Sequence, residues 1–164
     1  MQEIIKQCIN ELQNNRGIVL CYTDINFLLC DVNNDNIIKN TASIFKAILV
    51  REDIYIEDYC NGVIPIVYDL IEYSSKPLFL LLPKLKNASE YLKINNTFTM
   101  YHVPKDEFLN TLCKQYRKAI AIIELKNKDD NSYYHVNLPT LKHPFKQRAV
   151  LSLLENGEIK VIEK

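Results

Sequence analysis

The chain has 164 residues, 48% of them apolar and 24% charged, with a formal net charge of zero. That length suits one globular domain with its own core, and the composition excludes a disordered or fibrous chain. The longest apolar runs, such as residues 78–82, fall far short of the ~18 residues a membrane helix needs. The opening residues lack a secretory pattern, so an intracellular setting is expected: nucleus if eukaryotic, cytoplasm if archaeal.

In chain order, residues 3–13 predict a helix, because Ile4, Ile5, Cys8, Ile9 and Leu12 recur at helical spacing. Gly17 suits a left-handed cap behind it. Residues 18–32 are rich in β-formers and predict one or two strands kinked near Thr23-Asp24. Residues 33–36 predict a turn, and 41–50 a short helix whose β-branched content makes it ambiguous. A helix over 66–73, a strand over 78–82, a short helix over 85–92 and a strand over 97–103 follow. Pro104 is read as opening a helix whose apolar stripe is Phe108, Leu109, Leu112 and Cys113. Residues 119–125 predict an almost wholly apolar strand. Asp129-Asp130-Asn131 turns it back into an antiparallel partner over 132–138. Residues 145–154 predict a helix and 159–162 a last strand. The fold class expected is α+β, with a mixed, mainly antiparallel sheet flanked by helices. One domain spans 1–164. Its parts are an N-terminal helix and strands (1–60), an α+β core (64–140) and a helix–strand tail (141–164).

The chemistry-bearing residues are sparse. Gly17, Gly62 and Gly157 are far apart, which excludes a phosphate-cradling glycine loop. The five cysteines, Cys8, Cys21, Cys30, Cys60 and Cys113, form no C-x-x-C pair and are odd in number. They read as buried free thiols rather than a disulfide framework or zinc site. His102, His135 and His143 have no companion ligands at metal-binding spacing, so no metal site and no cofactor is assigned. Glu124-Leu125-Lys126 matches half of a metal-dependent nuclease site, whose missing aspartate has only Asp106 as a candidate. Charge is uneven: residues 1–75 hold 5 Lys/Arg against 11 Asp/Glu, and residues 76–164 hold 15 against 9. The second half could face a polyanion, or equally the acidic first half or an acidic partner; for a polyanion the candidate phosphate contacts are Arg117, Lys118, Lys142 and Arg148.

The order of elements resembles the C-terminal domain of tRNA-intron (tRNA-splicing) endonuclease subunits over roughly residues 64–140. The residues that carry it are a strand with Tyr101 and His102, the helix after Pro104, Arg117-Lys118, the apolar strand 119–125, the acidic turn and Tyr133-Tyr134-His135-Val136. The resemblance implies a fold like that domain and places Lys118 on the lysine of a Tyr–His–Lys catalytic set. No tyrosine or histidine can be placed beside it, so the resemblance implies a non-catalytic structural subunit with no catalytic residue. It further implies homo- or heterodimeric partnership with other endonuclease subunits, pre-tRNA as a candidate contact and no membrane. The interface is expected around Tyr133, Tyr134, Leu141 and Phe145, with a second chain supplying part of the cover for the apolar strand. Three rivals are a GINS-like DNA-replication subunit, a metal-dependent nuclease using Glu124 and Lys126, and an unassigned interaction domain.

Overall fold

The computed structural model describes residues 1–23, 25–50, 56–63, 65–102, 106–126, 132–138, 149–153 and 158–163. Helix α1 (Gln2–Gln13) buries Ile5, Cys8 and Leu12, the stripe its spacing predicts. Strands β1 (Ile18–Cys21) and β2 (Asn26–Asp31) form an antiparallel hairpin, so the kink is a turn. The second half of the turn expected at 33–36 instead opens α2 (Asp35–Asn40), because the Asn34 side chain accepts the Ile37 N–H at 3.1 Å and caps it. After it come β3 (Ser43–Val50), α3 (Ile56–Tyr59), α4 (Ile66–Tyr73), β4 (Leu78–Pro83), a 3-10 turn (Glu90–Leu92) and β5 (Thr97–His102). The chain continues through α5 (Glu107–Tyr116), β6 (Ile120–Leu125), β7 (Tyr134–Asn137), β8 (Ala149–Leu153) and β9 (Ile159–Glu163).

The nine strands among the described residues form one mixed sheet, ordered β7-β1-β2-β6-β3-β5-β4-β8-β9. The pairs β1–β7, β3–β5 and β4–β8 are parallel and the other five are antiparallel. Helices α1 and α5 pack on one face, over a core that includes Ile18, Leu20, Phe27, Leu29, Ile120 and Ile122. On the other face, Ile38 of α2, Ile56 of α3 and Val67 and Ile71 of α4 cover Leu28, Ile48, Ala121 and Ile123.

Four expected elements change. Residues 119–125 and 132–138 contribute strands, but β7 does not return onto β6. Both edges of β6 are taken, by β2 and β3, so β7 pairs parallel with β1, Ile18 opposite Tyr134. Residues 43–50 are a strand, as the β-branched and aromatic side chains Ile44, Phe45 and Ile48 favour. Leu49 faces the first core and Ile48 the second, so both sides of the strand gain from burial. Ala149–Leu153 is likewise a strand rather than helix, recruited by the free edge of β4. The short helix over 85–92 shrinks to the 3-10 turn.

The apolar β6 is covered on both faces by its own chain: Ile120, Ala121, Ile122 and Ile123 are all 0% exposed. Each isoleucine buried this way contributes roughly 1.5–3 kcal/mol. The expectation of cover from a second chain is thus corrected. Gly17 also serves another purpose than a helix cap. The left-handed residue after α1 is Asn15 (φ 57°), whereas a Cβ on Gly17 would sit 2.8 Å from Leu28 Cδ1 and 3.2 Å from the Tyr133 ring. Glycine there lets Tyr133 approach the backbone leading into β1. All five cysteines are free thiols. Among the described residues no helix is long and apolar enough to cross a membrane.

Candidate functional site

The site grows from α5. The Asp106 side chain caps it, accepting the Leu109 N–H at 2.8 Å. Phe108, Leu109, Leu112 and Tyr116 turn inward to the first core, which points Thr111, Lys114 and Gln115 outward. The helix ends on Arg117 in the left-handed conformation (φ 64°), its N–H bonded to the Cys113 carbonyl at 3.2 Å. Arg117 and Lys118 are both exposed.

The short connection that carries these two cations is pinned on either side. Ahead of it, the buried Tyr116 hydroxyl donates to the Asp31 carboxylate at the end of β2. Behind it, the Ala119 N–H donates to the Tyr59 hydroxyl at 3.3 Å, and the Val32 N–H to the Ala119 carbonyl at 3.4 Å. Burial, then the bond to Asp31, pushes the Tyr116 hydroxyl well above the ordinary tyrosine range, so it stays a proton donor at neutral pH. Burial likewise raises Tyr59.

Between α1 and α5 lies an open groove of about 550 Å³, lined by Ile9, Thr111, Lys114, Gln115 and Arg117. None of its lining residues is acidic. Among the described residues no carboxylate pairs with Lys114, Arg117 or Lys118. The groove offers a guanidinium fork, an ammonium, a hydroxyl and an amide beside one apolar wall. That set suits an anion such as a phosphate.

The structure thus gathers Arg117 with Lys114, Thr111 and Gln115; the last three are not among the candidates named from sequence. Their i, i+3, i+4 spacing shows that the three share one face of α5, but it does not mark a groove. Lys118 stands next to the groove but does not line it. Tyr133 and Tyr134 are half-buried against the two cores near β1. Leu141, Lys142, His143, Phe145 and Arg148 lie outside the described residues. Glu124 is half-buried on β6, opposite Phe27 and Phe45, and Lys126 is exposed just beyond the strand. Asp106, the aspartate a nuclease site would need, is engaged as the α5 cap and as acceptor of the Tyr22 hydroxyl at 3.2 Å. Among the described residues no group of three His, Cys, Asp or Glu side chains could hold a metal ion.

No protein-family model matches the sequence, and no curated protein matches it. Solved structures do match. The fold is similar to that of E. coli YciO. That structure superposes with a TM-score of 0.75 at 14% identity, over 100% of this chain and 90% of that one. P. abyssi Sua5 complexed with L-threonine gives 0.74 at 12% identity, over 99% of this chain and 54% of Sua5. Full-length HypF in a phosphate- and nucleotide-bound form gives 0.66 at 14% identity, over 96% and 28%. The chain therefore spans about half of Sua5 and about a quarter of HypF. At these identities the likeness is one of fold.

These matches overturn the endonuclease resemblance. The run of strand, helix, Arg-Lys, apolar strand and tyrosine strand is real, but it is local; Asp129-Asp130-Asn131 lies outside the described residues. The sheet that contains it is that of YciO and Sua5. A role as a tRNA-splicing scaffold falls with it, as do the endonuclease partner subunits, the GINS-like rival and the nuclease reading of Glu124 and Lys126.

Proposed function

We propose that this chain is an RNA-binding domain with a Sua5/YciO-like fold that works in tRNA modification, contacting RNA phosphates through the cationic end of α5. The observation that carries this is the groove holding Lys114 and Arg117, with no acidic lining, in a fold whose solved examples include phosphate- and nucleotide-bound HypF. The match of the whole chain to YciO and to about half of Sua5 favours tRNA modification over splicing. Lys118 adds charge at the rim, and Lys142 and Arg148 join as further candidate contacts from the basic second half.

Phosphate contacts release counterions, so affinity for RNA should fall steeply with salt. The test is a fluorescence-anisotropy titration of the full chain against unmodified tRNA at several salt concentrations. Lys118→Ala and Arg117→Ala should each weaken binding and each reduce the salt slope by about one contact. Absence of tRNA binding at low salt, or affinities that ignore both substitutions, would refute the proposal.

A further inference from the structure

The groove has more chemistry than a bare phosphate needs. Its volume of about 550 Å³ falls in the range of small-ligand sites, roughly 300–1,000 Å³. Thr111 and Gln115 are neutral groups that both donate and accept, and Ile9 supplies an apolar wall across from them. A phosphate alone would use the donors of Lys114, Arg117, Thr111 and Gln115 but not the apolar wall of Ile9. The groove is also open to solvent, which suits a ligand that is part of a larger molecule.

The backbone at Arg117 adds a second, independent observation. Left-handed residues at helix ends are usually glycine, sometimes asparagine, because other side chains crowd the backbone there. Among the described non-glycine residues with positive φ, Asn15, Asn87, Asn95 and Asn96 are asparagines, and only Lys84 and Arg117 are not. The attraction of the helix C-terminus for cations explains Lys114 and Lys118 without strain. It does not explain placing an arginine where glycine fits better. Strain of this kind collects at positions kept for what the side chain does.

Resting on the RNA-binding reading, we infer that the α1–α5 groove seats a single nucleotide of a single-stranded RNA. Arg117 and Lys114 hold the phosphate, the base lies on the Ile9 wall, and Thr111 and Gln115 reach its polar edge.

The experiment uses the full chain and a labelled short single-stranded oligoribonucleotide, with adenosine monophosphate, adenosine and inorganic phosphate as competitors. Arg117→Gly removes the side chain and relieves the backbone together. It should melt at or above the wild-type temperature yet bind the oligonucleotide at least about tenfold more weakly. Gln115→Ala should weaken binding several-fold without changing the salt slope, because it removes no charge. Lys160→Ala, on β9 at the far edge of the sheet, should bind as wild type. Adenosine monophosphate should displace the oligonucleotide better than adenosine or phosphate. RNA binding that is weakened by Arg117→Gly and keeps its salt dependence, but ignores Gln115→Ala and is displaced no better by the monophosphate than by phosphate, would overturn the nucleotide seat while leaving the RNA-binding reading intact. A wild-type chain that binds no RNA would overturn both.

Discussion

Replacing Tyr116 by phenylalanine removes one oxygen atom and one hydrogen bond, the one that ties the end of α5 to Asp31 at the end of β2. The ring stays in its pocket, since Tyr116 is only 7% exposed and packs within the first core. A hydrogen bond to a charged acceptor contributes about 1.5–3 kcal/mol. Asp31 is half-exposed, and its other oxygen already accepts the Asn33 N–H at 2.9 Å, so water can reach the vacated position. The lower end applies, about 1.5 kcal/mol, which for a chain of this length lowers the melting temperature by roughly 3–6 °C. Urea titration followed by circular dichroism should show a lower midpoint with an unchanged slope. The loosened connection should also weaken tRNA binding, because Arg117 and Lys118 follow directly. A double-mutant cycle with Asp31→Asn isolates the pair and should return a coupling near 1 kcal/mol. A loss below about 0.5 kcal/mol, or two single substitutions that merely add, would refute the claim that this bond anchors the cationic turn.

Asp106→Ala should destabilise the chain by about 1 kcal/mol or more through loss of the α5 cap, while Asp106→Asn keeps the cap. Burial raises the Asp106 carboxyl above its ordinary 3.8, so its charged form is disfavoured in the fold. The wild type should therefore gain on Asp106→Asn as pH falls toward that value and lose ground above it, which chemical denaturation at acid and neutral pH will show. Gly17→Ala should cost about 1 kcal/mol net. Its Cβ meets Leu28 and the Tyr133 ring at 2.8–3.3 Å, a clash only partly offset by the stiffer unfolded chain; an unchanged urea midpoint would contradict this packing. Finally, burial pushes the Cys8 and Cys30 thiols from 9.0 up to about 12, and raises the Tyr22 and Tyr116 hydroxyls above 10.0. The fold holds protons that the unfolded chain releases, so the stability they contribute is full below about pH 9 and falls as pH climbs toward about 12. Denaturation midpoints that stay level across that window would count against these burials.

Much of the local architecture is legible in the sequence because it rests on short-range physics. The Ile5–Cys8–Leu12 stripe makes α1 amphipathic, and Ile66–Tyr73 and Leu78–Pro83 appear where their patterns put them. The Arg117-Lys118 pair at the end of α5 is visible too, as are the charge asymmetry and the free cysteines. Pairing is another matter. A strand over 132–138 is evident from its residues, but its neighbour depends on which edges remain open once distant segments have packed. Only the tertiary structure closes β6 between β2 and β3 and sends β7 to β1. Residues 43–50 and 149–153 carry no decisive periodicity of their own, and their strand character comes from the sheet edges that receive them. The same holds for the site. Lys114 and Gln115 sit on an exposed helix face like many others until α1 brings Ile9 alongside, because a groove between two helices has no signature in either helix alone.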